Sequence, residues 1–192
     1  MWVIIGLGNP GRRYAKTRHN VGFFFIKRLA RRWEVKLKKR KFAAKIAEVK
    51  INEEKLVLAQ PQLYMNQSGS AVMRILEGYE ISPENIIVVY DDLDIPLGQI
   101  RVRKEGSGGT HKGMRSIIQE IGTQSFPRIR VGIGPVADRE EATRFVLSPF
   151  TEEEIPILEK SLAKAQEALE MILAGRIERA MNEFNQKEKG LT

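Results

Sequence analysis

The run Trp2-Val3-Ile4-Ile5-Gly6-Leu7, closed by Gly8-Asn9-Pro10-Gly11, constrains this chain more than any other stretch. An apolar segment this short, ended by glycine and proline, reads as a β-strand buried on both faces. Residues that follow such a strand emerge at the carboxyl edge of the sheet, where open α/β folds carry their chemistry. His19, one of two histidines in the chain, falls beside that edge.

Downstream, the pattern predicts an α/β domain. Arg12 to Arg18 reads as a basic loop. A helix is expected from Val21 to Trp33, with Asn20 as its N-cap and Val21, Phe25, Leu29 and Trp33 facing the core. Lys36 to Lys41 reads as an exposed basic connection. Phe42–Ile51 and Lys55–Ala59 form two strands around Asn52-Glu53-Glu54. A loop from Gln60 to Gly69 leads into a helix with Ala71, Val72, Ile75 and Leu76 on its apolar face and Gly78 as its stop. Asn85–Tyr90 is a second central strand whose end carries Asp91, Asp92 and Asp94. Gly98–Lys104 and Arg128–Ile133 alternate as strands, and a helix runs from His111 to Ile121. The tail is helical: Thr151 and Glu154 have capping-box spacing, Pro156 falls near the first turn, and Ile155, Leu158, Leu162, Ala165, Leu169 and Ile172 step by three and four. Gly175 ends that helix, and Ile177, Met181 and Phe184 stripe a shorter one. No repeat or low-complexity linker interrupts the chain, so residues 1–192 are expected to form one domain.

Composition narrows the chemistry. With 42% hydrophobic and 29% charged residues, the chain can bury a sizeable core and is not a disordered tail. The absence of cysteine removes disulfides, thiolate nucleophiles and Cys-based zinc sites. No secretory leader opens the sequence and no apolar run spans a bilayer, which predicts a cytoplasmic protein without membrane attachment. The net charge of +8 is uneven: residues 1–50 hold fifteen Lys/Arg against two Glu, a net of +13, and the other 142 residues sum to −5. Charge of one sign gathered in one part of a chain is the footprint of a polyanionic partner such as nucleic acid.

Gly6-Leu7-Gly8-Asn9-Pro10-Gly11 also satisfies GxGxxG after a strand, which raises an NAD(P)-binding oxidoreductase as a rival reading. That mechanism needs a helix to begin inside the turn and receive the pyrophosphate. Pro10-Gly11 opposes it, and the helical pattern starts only at Val21.

The remaining chemistry centres on His19 and a carboxylate. No GxSxG elbow is present, and two histidines are too few for a His-rich zinc site, although Asp91, Asp92 and Asp94 could hold Mg²⁺. A histidine at one strand edge and a carboxylate ending another suit general-base hydrolysis, with the imidazole taking a proton from water and the carboxylate fixing its tautomer.

The segments GLGNPG, YAKTRHNVG, LYMNQSG, VYDDLDIPLG, GSGGTHKGMRSI, RVGIG and AMNEFN, in this order and spacing, resemble the bacterial-type peptidyl-tRNA hydrolase family over nearly the whole chain. The resemblance implies a single α/β domain with a mixed twisted sheet flanked by α-helices and a C-terminal helical segment, monomeric and without metal or cofactor. It implies hydrolysis of the ester between a peptide and the 3′-terminal ribose of tRNA, with peptidyl-tRNA as partner. Carried over by position, His19 is the general base and Asp91 its partner. Asn9 contacts the peptide backbone and rejects free aminoacyl-tRNA, Asn66 orients substrate and water and has an amide able to donate to the developing oxyanion, and Tyr14 and Tyr64 touch the tRNA end. Tyr64 stands where the family often has Phe. Lys112 departs from the family's His-Asn-Gly; it can only donate and it carries charge, which suits phosphate or an oxyanion. His111 matches a position near the cleft, where it either shapes the wall as a helix-start residue or takes part in catalysis. A non-catalytic RNA-binding relative, like the splicing factors that share the fold, is the alternative in another class.

Overall fold

The opening run forms β1 (Trp2–Gly6) and lies inside a seven-stranded sheet. The structure, a computed structural model, describes residues 1–136 and 140–186. After β1 come α1 (Val21–Arg32), β2 (Lys39–Lys41), β3 (Ala44–Ile51), β4 (Glu54–Pro61), α2 (Ser68–Tyr79), β5 (Ile86–Pro96), β6 (Ile100–Arg103), α3 (Lys112–Ile121), β7 (Arg128–Gly134), α4 (Ala142–Val146), α5 (Glu154–Leu173) and α6 (Ile177–Phe184). The strand order is β2-β3-β4-β1-β5-β7-β6. β4, β1, β5 and β7 run parallel, while β6 pairs antiparallel with β7, β3 with β4, and β2 with β3.

Alternation along the central strands builds two cores, one on each face. Ile4, Leu56, Leu58, Ile87 and Val89 pack with α1, α5 and α6. Val3, Ile5, Val57, Ala59, Ile86 and Val88 pack with α2 and α3. Ile4, Ile5, Ile87 and Val88 are fully buried, each contributing about 1.5–3 kcal/mol to folding. No helix among the described residues is long and apolar enough to cross a membrane.

Local departures from the pattern have identifiable causes. α2 runs through Gly78 and ends where Glu80 adopts φ 52°. Gly78 is needed instead because a Cβ there would lie 2.0 Å from the Phe42 ring. Asn52 and Glu53, both with positive φ, make the β3–β4 turn alone, and Glu54 joins the ladder opposite Ile51. Lys39–Lys41 is an edge strand, not a connection. Arg28 and Arg32 face acids of α5, at 2.7 Å from Glu159 and 3.4 Å from Glu170. The capping box forms, with Glu154 N–H donating to Thr151 Oγ1 and Thr151 N–H to Glu154 Oε2.

The two sheet edges differ. β2 is exposed at all three residues, each a cation. At the other edge Asn185, just past α6, accepts from Val102 N–H at 2.8 Å and donates to Val102 C=O at 2.9 Å. Its carboxamide thus meets β6 as a neighbouring strand would.

Candidate active site

Two glycines bring the site's first residues to the sheet. A Cβ on Gly6 would lie 2.1 Å from Gly22 O, and one on Gly22 would lie 2.3 Å from Leu7 N, so the end of β1 and the start of α1 touch backbone to backbone. The chain between them folds into two 3-10 turns, Arg12–Tyr14 and Arg18–Asn20. His19 is thereby held beyond the carboxyl end of β1 and against the middle of β5. Asn20 occupies the N-cap position but makes no capping bond. Its carboxamide instead clamps the turn, accepting from Asn9 N–H at 2.8 Å and donating to Asn9 C=O at 3.0 Å. A donor that a dinucleotide pyrophosphate would need is therefore already occupied, and the helix begins well beyond the turn, which removes the structural basis of the NAD(P) reading.

Asp91 does not end its strand, because β5 continues through the aspartates to Pro96. It is 2% exposed and sits between two imidazoles. His19 Nδ1 lies 2.9 Å from both Asp91 oxygens, and His111 Nε2 lies 3.1 Å from Oδ1. Burial opposes charge on His19, but the charge of Asp91 and its hydrogen bond outweigh burial and raise the His19 pKa above its ordinary value; Lys112 pulls the other way. For Asp91 too, burial favours the neutral form, yet His19 and His111 hold its carboxyl well below the usual carboxylate range. Asp91 is thus an ion and His19 Nδ1 its donor. His19 Nε2 is left with no partner among the described residues.

His111 serves two purposes at once. As N-cap of α3 its Nδ1 accepts from Met114 N–H at 3.2 Å, which leaves Nε2 to carry the proton donated to Asp91. His19, Asp91 and His111 form the candidate metal cluster among the described residues, with donor atoms within 4.8 Å of one another. Their donor chemistry is that of a hydrogen-bonded chain, because both nitrogens that face the carboxylate carry protons to it. Asp92 lines the same cleft but is already engaged by a cation, receiving Arg130 Nε at 2.6 Å, so it does not join Asp91 in holding a metal.

All eight residues singled out in the sequence line one cleft of about 770 Å³: Asn9, Tyr14, His19, Tyr64, Asn66, Asp91, His111 and Lys112. Asn9 Oδ1 accepts from Met65 N–H at 2.8 Å. A backbone N–H can only donate, so the amide orientation is fixed and its NH₂ is the group open to the cleft. Tyr14 and Tyr64 meet edge to face at 6.2 Å, and Tyr64 is 56% exposed. Asn66 sits exposed in the 3-10 turn Met65–Gln67.

Several contributors escape sequence reasoning. Asn20 is one. α4 is another, with Ala142, Thr143 and Val146 on the cleft wall. A third is Arg18, 4% exposed, which fastens the turn carrying His19 to that wall. Its guanidinium forks onto Glu154 at 3.0 and 2.7 Å and lies between the rings of Phe145 and Phe150 at 4.3 and 4.7 Å. Arg18 N–H also donates to Ser148 C=O at 3.0 Å. Arg18→Met is expected to lower stability by about 3 kcal/mol, the cost of removing one partner of a largely buried pair. A denaturation midpoint unchanged from the parent would refute that account.

Comparison with known proteins agrees along the chain. The profile of the family described as peptidyl-tRNA hydrolase matches residues 3–191. The peptidyl-tRNA hydrolase of Alkaliphilus metalliredigens (strain QYMF) is 45% identical over 185 residues, covering 96% of this chain and 100% of that protein. That of Geobacillus kaustophilus (strain HTA426) is 45% identical over 186 residues, covering 97% and 100%. The crystal structure of peptidyl-tRNA hydrolase from Acinetobacter baumannii superimposes with a TM-score of 0.90 at 35% identity, covering 96% of this chain and 94% of that one.

Proposed function

We propose, from the premise that this chain belongs to the peptidyl-tRNA hydrolase family, that His19 is the general base of its ester hydrolysis and Asp91 the carboxylate that makes it one. The chain hydrolyses the ester joining a peptide to the 3′-terminal ribose of tRNA, which returns the tRNA for reuse. The observation that carries the assignment is the Nδ1 contact of His19 with both Asp91 oxygens at 2.9 Å. It fixes the tautomer so that the unprotonated Nε2 meets water. As water oxygen bonds to the ester carbonyl carbon, Nε2 takes the proton and Asp91 balances the imidazolium. Collapse of the tetrahedral intermediate expels the ribose 3′-oxygen, which recovers the proton. Peptide acid and free tRNA result.

In this reading Asn9 presents its NH₂ to a peptide carbonyl, a partner that a peptidyl group offers beyond the ester. A free α-ammonium would face a donor there and gain nothing. Asn66 lies beside it to orient substrate and water. Tyr14 and Tyr64 offer ring faces to the terminal nucleotide, and exposed cations around the cleft contact phosphates without reading sequence. His111 holds Asp91 in place as a positioning residue. With both imidazoles donating to Asp91, water activation in this reading calls on no metal, and the chain is read as one domain over residues 1–192 acting as a monomer in the cytoplasm.

The test is hydrolysis of N-blocked against free aminoacyl-tRNA. Selective cleavage of the blocked form is expected, and it also separates an enzyme from an RNA-binding relative. Asn9→Ala is expected to raise KM for the blocked substrate about 10-fold, the worth of one well-placed hydrogen bond, and to narrow the selectivity. Equal cleavage of both substrates by the parent would remove the role given to Asn9.

A further inference from the structure

Hydrolysis at this site creates a negative oxygen for which the groups assigned so far supply no counter-charge. When Nε2 of His19 takes the proton, the imidazolium is balanced by Asp91. The carbonyl oxygen, which receives the electron pair of its double bond, is left unbalanced.

Four cationic side chains line the cleft: Arg103, Lys112, Arg128 and Arg130. Arg128 is 1% exposed and holds the carbonyls of Gly106, Gln124 and Phe126, while Arg130 is paired with Asp92. Arg103 ends β6, three strands from β1 in the sheet order, or about 14 Å at the usual strand spacing. Lys112 differs from all three. It is exposed, and its ammonium has no ion pair or hydrogen bond among the described residues.

Its backbone is nevertheless tightly placed. The preceding residue, His111, is fixed by bonds to Asp91 and Met114 N–H. The following one, Gly113, packs so closely that a Cβ would lie 2.5 Å from Met65 Sδ and 3.1 Å from Leu7 Cδ1. Lys112 is therefore held on the wall between the His19–Asp91 pair and the turn that carries Asn9. Among the charged groups on the elements packed around His19, Asp91 of β5 favours its protonated form and Lys112 of α3 opposes it. A cation whose only neighbour were the imidazolium would hinder proton transfer. It helps when an anion forms in the space between them.

We propose that Lys112 is the charge partner of that oxyanion, a catalytic residue of the reaction assigned above, on which this inference rests. Its ammonium stabilises the tetrahedral intermediate until the electron pair returns and the ribose 3′-oxygen leaves with the proton from His19.

The experiment compares Lys112→Met and Lys112→Arg with the parent on an N-blocked aminoacyl-tRNA, in single turnover, over pH and salt. Lys112→Met is expected to lower kcat about 10²-fold, as losing one oxyanion partner does, with KM little changed. Its ascending pH limb should move to higher pH, because the charge opposing protonation of His19 is gone. Lys112→Arg should recover most of the rate and the parent limb. A rise in KM with unchanged kcat and a shallower salt dependence would mean a phosphate contact and overturn the proposal. Unchanged kinetics would overturn it too. His19→Ala run alongside separates the two readings: if that variant still turns over, the fault lies with the base and not with Lys112.

Discussion

His19→Ala is expected to slow peptidyl-tRNA hydrolysis by at least about 10²–10⁴-fold, the usual worth of a positioned general base. The remaining imidazole cannot take over. His111 Nδ1 is occupied by Met114 N–H and its Nε2 by Asp91, so neither nitrogen is free to accept a proton from water. Affinity for tRNA should stay near the parent value, since phosphate contacts come from exposed cations elsewhere on the cleft rim. Single-turnover hydrolysis and anisotropy with deacylated tRNA check the two halves separately. Loss of both together would mean that His19 holds the fold and not the reaction.

Asp91→Asn is expected to cost a similar factor, about 10²–10⁴ in rate, and to leave a signature in pH that a simple packing defect would not. Only neutral His19 accepts a proton, so kcat/KM climbs as pH passes through the His19 pKa, which Asp91 raises above its ordinary value. Removing the negative charge lowers that pKa. The ascending limb of the variant must then move to lower pH even as its plateau falls. A limb that stays in place, or moves up, would contradict the pairing. Stability follows the opposite sense. A raised His19 pKa stabilises the fold below the unfolded value and fades as pH climbs through the folded one. A depressed Asp91 pKa stabilises it above the ordinary carboxylate value and fades as pH falls through the folded one. The pair therefore supports folding most between about pH 4 and 6.5, below the range where the base is fully active.

The sheet was legible because its central strands are apolar on both faces. Ile4-Ile5 and Ile86-Ile87-Val88-Val89 admit few other readings. The His19–Asp91 pairing was legible through few histidines, an acidic cluster after an apolar strand core and a family likeness. Other features were opaque because they depend on distant partners. Glycine at 78 looks like a helix stop until Phe42, far back in the chain, is seen to need the space. Asn20 has the residue type and position of an N-cap, and only the approach of Asn9 diverts its side chain. Arg18 reads as one more member of a basic loop, whereas Phe145, Phe150 and Glu154, more than 120 residues on, converge to bury it. Asp91, Asp92 and Asp94 read as lying past the last residue of the strand because charged residues rarely continue one, yet the ladder with β7 carries β5 on to Pro96.

The unlike borders of the sheet bear on how copies of this protein meet one another. Cross-β growth needs an open row of donors and acceptors, presented without repulsion, on which an incoming chain can align. At one border such a chain would set three positive charges against three more; at the other, a side-chain amide already fills the place it would take. Molecules crowded together in solution thus meet repulsion at one border and a ladder already occupied at Val102 at the other, and both oppose fibril growth.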